Sequence, residues 1–378
     1  GDLGAEVIKI ERPGEGDDTR KWGPPFLKDG AGRDTAESSY YLSANRAKRS
    51  LTLDFTKPEG RDIALRLIAQ SDVLVENYKV GNLAKYGLDY PSLRHDFPRL
   101  VYCSVTGFGQ TGPYAPRPGY DFLAQAMGGI MSLQGEPEGE PMKGAVAFAD
   151  LMAGMYSTVA ILAALHHRDR TGEGQHIDMA LLDTQVAWLG NQAQAYLTSG
   201  KAPPRLGNAH ATVVPYQVFP SADGHIVLAI GNDGQFRKFC ACAGVPDLAA
   251  DPRFATNSAR VVNRAVVVPE VARLVAQRKS ADWIAALEQA GVPCSPINSL
   301  NQVFADQQVK ARDMVVRMAH PGAPEPIALL ANPIKYSATP VEYKLPPPTM
   351  GQHTEAILHE MLGLGDAEIA ALRKSGVI

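Results

Sequence analysis

The 378-residue chain has few cysteines and no residue pattern typical of a metal site. Only Cys240 and Cys242, of the four cysteines, lie close together, and a lone C-x-C pair is a poor zinc signature. None of the nine histidines forms an H-x-x-H or H-E-x-x-H pattern. We therefore predict no metal site. We interpret the cysteines as reduced thiols of a protein of the cytoplasm, or of the mitochondrial matrix if the source is eukaryotic.

The chain also lacks a strong charge of either sign and a long uninterrupted apolar run. A net charge of −3 and a pI near 6.3 give no electrostatic reason to expect a nucleic acid as partner. The apolar stretches are interrupted before the roughly 18–20 residues of a membrane span, so we expect no membrane insertion. No secretory start is visible, and no G-x-S-x-G motif marks a serine hydrolase.

Strand-like and helix-like segments alternate in the first part of the chain. Apolar strands separated by helices predict an α/β fold with a parallel sheet, whose ligands bind at the carboxyl ends of the strands. The predicted strands are 7–10, 50–54, 72–76 and 100–105, and the predicted long helices are 58–70, 150–168 and about 181–197.

A Pro-containing linker at 199–204 separates this part from a second pattern. Residues 216–219 and 225–230 predict a β-hairpin with Asp223 and Gly224 in its turn. We predict a large α/β domain over 1–198 and a smaller α+β domain over 210–310. A linker and C-terminal segment, 311–378, then returns to the large domain.

Asp150 stands at the start of a predicted helix of small residues. An aspartate in this place is most often an N-cap, whose carboxylate accepts hydrogen bonds from free helix amides. A carboxylate held against an electrophilic carbonyl can also be a covalent nucleophile. The two roles are compatible, since the positive end of a helix keeps a carboxylate ionised.

Charged loops adjoin three predicted strands, at 12–20, 45–50 and 76–81. Such loops are usually solvated faces, but two of them are cationic, as a phosphorylated, nucleotide-like ligand requires. Tyr78 and Tyr120 are candidates to stack on a base. Another loop, 231–235, follows a predicted strand, and its amides either form an ordinary turn or face an oxyanion.

These segments, in this order, resemble the class III CoA-transferase family, which includes formyl-CoA transferase, carnitine CoA-transferase and α-methylacyl-CoA racemase. The resemblance covers essentially the whole chain. It is carried by L-G-A-E-V-I-K-I-E at 3–11, K-R-S-L-T-L-D at 48–54, V-E-N-Y at 75–78, G-F-G-Q-T-G-P at 107–113 and R-D-R-T-G-E-G-Q at 168–175.

The resemblance implies Asp150 as the catalytic nucleophile and a CoA thioester as substrate, with no permanently bound cofactor. It also implies a Rossmann-like large domain that binds CoA and a homodimer of interlocked chains. The family's opening strand and helix have no counterpart at the start of this sequence. The CoA contacts that the resemblance implies are Arg12, Leu53, Asn77, Tyr78 and Lys85, with Tyr120 near the thioester, and the implied substrate loop comprises Gly231, Asn232, Gly234 and Gln235.

Within the family, the sequence favours CoA transfer over racemisation. The racemase requires a histidine in a Gly-His-Asp context, where this chain has Gly119, Tyr120 and Asp121, and a tyrosine is a poor base at neutral pH. V-V-P-Y-Q at 213–217 and P-P-P at 346–348 resemble the succinyl-CoA:glutarate subgroup, which implies dicarboxylic acids as substrates. The alternatives are a racemase-type epimerase of acyl-CoA esters and a catalytically silent acyl-CoA-binding protein.

Overall fold

The computed structural model describes all residues from 1 to 378 as a mixed α/β protein. Its strands are β1 Val7–Glu11, β2 Phe26–Lys28, β3 Asp34–Ser38, β4 Lys48–Thr52, β5 Val73–Glu76, β6 Val101–Thr106, β7 His176–Ala180, β8 Tyr216–Pro220, β9 His225–Ala229, β10 Cys294–Pro296, β11 Val315–Met318 and β12 Ile327–Leu330.

Its helices are α1 Ser39–Ala44, α2 Pro58–Ile68, α3 Tyr90–Leu93, α4 Asp121–Met127, α5 Phe148–Thr171, α6 Leu181–Ala187, α7 Gly190–Ser199, α8 Asp233–Cys242, α9 Asn257–Val262, α10 Arg264–Val275, α11 Ser280–Ala290, α12 Leu300–Ala305, α13 Gln307–Ala311, α14 Thr354–Leu362 and α15 Asp366–Lys374. Short 3-10 turns occupy Asp18–Lys21, Leu83–Tyr86, Ile130–Ser132 and Pro246–Ala249.

The chain divides into two compact units. Unit 1 comprises Gly1–Thr106, Ser157–Asp178 and Val303–Ile378, and unit 2 comprises Gly107–Tyr156 and Met179–Gln302. This division differs from the predicted domains over 107–156 and 179–198, which cluster with unit 2 because α4 packs on α6. The C-terminal segment belongs to unit 1, together with the first strands.

Unit 1 contains the parallel strand pairs that the sequence predicts. β1 pairs in parallel with β4, from Val7 opposite Lys48 to Glu11 opposite Thr52, and β5 pairs in parallel with β6. Helix α2 begins with Pro58 at its first position, where a missing N–H costs nothing. Its buried face joins β4 and the returning helix α14 in one apolar core, which includes Leu51, Leu67, Ile357 and Leu358.

A buried arginine ties the start of unit 1 together. Arg20 donates hydrogen bonds to both carboxylate oxygens of Glu11, at 2.7 and 2.8 Å, and to Glu37 at 3.2 Å. It also donates to the hydroxyl of Tyr41 and to the carbonyl of Pro348. Burial opposes ionisation of Glu11, but the hydrogen bonds from Arg20 and Ser50 outweigh it and hold the Glu11 pKa below its usual value.

Unit 2 contains the predicted hairpin. β8 and β9 are antiparallel, with Tyr216 opposite Ala229, and Ser221 and Gly224 close the turn. β10 pairs on the other side of β9. A second apolar core lies under this sheet, where Phe239 stacks on Trp283 and Trp283 donates its ring N–H to the carbonyl of Val275. The indole is therefore buried without losing its hydrogen bond.

Two sequence expectations about helices are wrong. The helix predicted at 181–197 is two helices, because Gly190 has a positive φ of 53° that interrupts the helical path between α6 and α7. In addition, α5 is long and apolar enough, by length and composition alone, to cross a membrane. The sequence analysis expected no run of that length. A helix that packs against protein passes the same test, so this property alone is weak evidence for a membrane span.

We predict that Arg20→Ala lowers the free energy of unfolding by about 3–5 kcal/mol, because it leaves two buried carboxylates without their partner. Chemical denaturation followed by circular dichroism measures this loss. The matched control is Arg33→Ala, which removes an ion pair to Asp29 from a side chain that is 79% exposed. We expect the control to cost about 1 kcal/mol or less. Equal effects of the two substitutions would contradict the stabilising role of the Arg20 cluster.

Candidate active site

The segment that contains Tyr120 begins at a close approach of two glycines. A Cβ on Gly107 would lie 2.4 Å from the Cα of Gly119, and a Cβ on Gly119 would lie 2.3 Å from the Cα of Gly107. Only glycine at both positions lets the backbones come this near. Helix α4 starts two residues later, with the exposed Tyr120 at its N-cap position. The close approach of Gly107 and Gly119 thus fixes the backbone position of Tyr120 and Asp121 at the start of α4.

The first turn of α5 is capped by a residue from another helix. One carboxylate oxygen of Asp121, Oδ1, accepts hydrogen bonds from the amide of Ala149 at 2.8 Å and from the amide of Asp150 at 3.5 Å. The other oxygen, Oδ2, accepts from Gln125 at 2.7 Å. Asp121 therefore satisfies amides that a local N-cap residue would otherwise satisfy.

Asp150 is the third residue of α5, so the N-cap interpretation of this residue is wrong. Its own amide and that of Ala149 already bind Asp121, and the Asp150 side chain is exposed. Desolvation by surrounding protein atoms, and next the negative charge of Asp121, raise the pKa of Asp150 to about 6. The result is a carboxylate that is ionised at neutral pH and more basic than a free aspartate.

The predicted loop at 231–235 is the beginning of a helix. Asn232 is the N-cap of α8, and its side-chain oxygen accepts from the Gln235 amide at 2.9 Å. The Gly231 amide donates to the side-chain oxygen of Gln235 at 2.7 Å. These amides are engaged within the loop, so they are not free to bind an oxyanion. The amides of Asp233 and Gly234, at the first two positions of α8, have no acceptor within the helix.

A separate cavity of about 280 Å³ lies within unit 1, at the carboxyl ends of β1 and β4. Four residues that the resemblance assigned to CoA contacts line it: Arg12, Leu53, Tyr78 and Lys85. Asn77 is exposed and lies outside this lining, immediately before Tyr78. The other lining residues are Ile10, Glu11, Asp54, Phe55, Thr56, Asn82, Leu83 and Tyr86.

The cavity combines cations with aromatic rings. Phe55 contacts the rings of both Tyr78 and Tyr86 edge-on, with centroids 5.8 and 5.7 Å apart. Lys85 is held only by a 3.4 Å contact to Asn82, and the ion pair of Arg12 with Glu15 is exposed. Weak surface pairs leave both cations available to a phosphate, while the rings offer apolar surface to a base. The cavity is suited to part of a nucleotide-like ligand.

A recess of about 380 Å³ lies along the end of α5, but its lining comes from that helix alone and includes no converging polar groups from elsewhere. No group of three or more His, Cys, Asp or Glu side chains is arranged to hold a metal ion.

The sequence analysis missed two kinds of site residue. Phe55 and Asn82 lie in loops that follow β4 and β5. Their position after a predicted strand could therefore have identified them as candidate site residues. Asp121 and Gln125 were not detectable in this way, because their backbone partners, Ala149 and Gly144, lie 28 and 19 positions further along the chain.

Comparison with known proteins identifies the family. The sequence profile of CoA-transferase family III matches residues 1–354. The chain belongs to CoA-transferase family III. This CoA-transferase is 50% identical, over 95% of its length and 90% of the relative's, to the succinate–glutarate CoA-transferase of Agrobacterium fabrum. It is 42% identical, over its whole length and 84% of the relative's, to the succinyl-CoA:glutarate CoA-transferase of Homo sapiens.

A solved structure supports the fold of this CoA-transferase. The crystal structure of a CAIB/BAIF family protein from Brucella suis is 50% identical to it, with a TM-score of 0.83. The match covers 95% of this chain and 93% of the Brucella protein. The mixed α/β architecture is therefore that of the family.

We predict that Lys85→Ala in this CoA-transferase raises the KM for acyl-CoA by about tenfold, because one charge-assisted hydrogen bond to a phosphate is lost. If the cavity receives a part of CoA that does not react, the turnover number should change little. Steady-state kinetics at two salt concentrations measure both quantities. The control is Lys79→Ala, an exposed lysine outside the cavity lining. A loss of kcat with an unchanged KM would contradict this assignment.

Proposed function

We propose that this enzyme moves CoA from succinyl-CoA, or another dicarboxylyl-CoA, to a free dicarboxylate through a covalent intermediate on Asp150. The observation that carries the proposal is the exposed Asp150 carboxylate in the first turn of α5, whose neighbouring amides are already bound by Asp121. The names of the Agrobacterium and human relatives support a dicarboxylate pair, since both proteins act on succinyl and glutaryl groups by name.

The first half of the reaction forms a thioester on the enzyme. A carboxylate oxygen of Asp150 attacks the thioester carbon of the donor, and the carbon–sulfur bond breaks to release CoA thiolate. The product is a mixed anhydride between Asp150 and the donor acyl group. The thiolate then attacks the side-chain carbonyl carbon of Asp150 and expels the donor acid as a carboxylate, which leaves aspartyl-CoA.

The second half repeats these steps in reverse. The acceptor carboxylate attacks the aspartyl thioester, CoA thiolate leaves, and a new mixed anhydride forms. The thiolate attacks the acceptor carbonyl, and the Asp150 carboxylate is released unchanged. No net proton, electron or water is consumed, so neither a strong base nor a redox group is required. Free amides such as that of Gly234 would stabilise the oxyanions.

The position of Asp233 favours transfer over epimerisation. An epimerase of acyl-CoA esters needs an acid and a base on opposite sides of the α-carbon. Within the 231–235 segment, Asp233 is the residue that could supply the acid. Its carboxylate accepts a 2.9 Å hydrogen bond from the fully buried Arg260. This ion pair occupies the Asp233 carboxylate, and Tyr120 stands where the racemase has its histidine.

We also propose that the enzyme is an interlocked homodimer with a Rossmann-like CoA-binding domain. Leu151, Met155, Val159 and Leu162 lie on one face of α5, and each is more than half exposed in the single chain. Such an apolar face is costly in water, and a second copy of the chain would cover it. Sedimentation velocity should show a dimer, whereas a monomer at micromolar concentration would contradict this assembly.

The proposed compartment is a reducing one, the cytoplasm or the mitochondrial matrix. All four cysteines are free thiols, and Cys103 and Cys240 are buried. Such a set is usual where glutathione keeps thiols reduced. Fractionation of the source cells with detection of the protein tests this point, and recovery from an oxidising compartment would contradict it.

The test of the proposed function supplies succinyl-CoA with a pool of free acids: glutarate, itaconate, mesaconate, malate, oxalate, formate and carnitine. Mass spectrometry identifies the new CoA esters. We expect a dicarboxylyl ester from the parent enzyme and none from Asp150→Ala, because the nucleophile is gone. The matched control is Asp183→Ala, which removes an exposed aspartate from the first turn of α6. It should keep full activity.

Three outcomes would contradict the proposal. Full transfer by Asp150→Ala would exclude the aspartyl intermediate. No new ester with any acid, combined with exchange of the α-proton in deuterated water, would instead identify an epimerase. Binding of acyl-CoA with neither reaction would identify a catalytically silent protein.

A further inference from the structure

Asp121 and Asp150 are two aspartates at one helix end with opposite surroundings. Asp121 accepts hydrogen bonds with both carboxylate oxygens, from the amides of Ala149 and Asp150 and from Gln125. The Asp150 carboxylate, which lies on the helix itself, leaves these amides to Asp121. An aspartate in the first turn of a helix ordinarily competes for such amides.

Gln125 holds the Asp121 carboxylate in place through a hydrogen bond. Its side chain is completely buried, and its amide nitrogen donates to Asp121 Oδ2 at 2.7 Å and to the carbonyl of Val146 at 3.4 Å. Its carbonyl oxygen accepts from the amide of Gly144 at 2.9 Å. Asp121 and Gln125 together therefore hold the whole approach to α5, from Gly144 to Asp150, at fixed points along the backbone.

We propose that Asp121 is a positioning residue for the Asp150 nucleophile. Because it occupies the amides of the first turn, Asp121 prevents the Asp150 carboxylate from turning back onto its own helix, and the carboxylate stays available to the thioester. This inference rests on the proposed function, which makes Asp150 the attacking group. A misplacement of about 1 Å at a reacting group can cost about a hundredfold in rate.

The charge of Asp121 has a second effect on Asp150. A like charge nearby disfavours the ionised form, so it contributes to the raised pKa of Asp150, after desolvation. Lys143, in the segment that leads to α5, contacts the ring of Phe122, with its ammonium 5.8 Å from the centroid, and donates to the carbonyl of Gly144 at 3.4 Å. A more basic carboxylate is a stronger nucleophile as long as it remains ionised at the working pH.

Two substitutions separate the two effects. Asp121→Ala removes the acceptor for both amides, and we expect kcat to fall by about a hundredfold with a KM for acyl-CoA that changes by about threefold or less. Asp121→Asn keeps an acceptor oxygen but loses the charge, so kcat should stay within about tenfold of the parent value. The acid limb of its kcat–pH profile should move to lower pH, because the Asp150 pKa falls when the like charge is removed.

The control is Thr256→Ala, which removes a helix cap from α9 in the same unit. It should lower stability without changing kcat or the pH profile. A structural role of Asp121 alone would likewise leave the acid limb in place. An unchanged kcat in Asp121→Ala, or an unmoved limb in Asp121→Asn, would overturn the inference. If Asp121→Ala does not fold, the pH profile of Asp121→Asn decides.

The parent enzyme distinguishes this failure from failure of the proposed function. If the parent transfers CoA and Asp150→Ala does not, the proposed function holds whatever the Asp121 variants do. If the parent forms no new CoA ester, the proposed function fails and the role of Asp121 fails with it.

Discussion

The amides at the start of α5 impose the constraint on which the candidate active site depends. Helix α5 must satisfy the N–H groups of its first turn, and it does so with Asp121, which lies on α4. This connection fixes α4 against α5 and leaves Asp150 as an exposed carboxylate. The glycine pair at 107 and 119 brings α4 to the required place. The exposed carboxylate of Asp150 therefore results from the need of every helix to satisfy the N–H groups of its first turn.

The cavity within unit 1 is built by a different set of forces. The cavity in unit 1 lies where β1 and β4 end side by side, because parallel strands place their carboxyl ends at one edge. The buried Arg20 cluster holds the loop after β1, and Arg12 belongs to that loop. The stability of unit 1 and the shape of the cavity are therefore connected through one short stretch of chain.

Much of the fold could be predicted from local sequence patterns. The strands at 7–11, 48–52, 73–76 and 101–106 and the hairpin at 216–229 are apolar or alternating runs bounded by turn residues, so their signals are local. The interruption at Gly190 and the strands β2, β3, β7, β10, β11 and β12 were missed, since short segments depend on their partners in space. The capping of α5 could not be predicted for the same reason. An N-cap from another helix has no spacing rule.

Membership in the family explains the reaction but not the choice of acids. The Agrobacterium and human relatives carry dicarboxylates in their names, and the fold is shared with the Brucella protein. Substrate choice depends on the few side chains that meet the acyl group, and these can differ within one fold. An Asp150 nucleophile would act in the same way on all of these substrates.

Peptide mapping after incubation with succinyl-CoA and no acceptor shows whether Asp150 is the nucleophile. Digestion followed by mass spectrometry should place CoA on the peptide that contains Asp150, and hydroxylamine should convert that adduct to a hydroxamate at the same residue. An adduct on another residue, or continued transfer with no adduct at all, would contradict the assignment of Asp150 as the nucleophile.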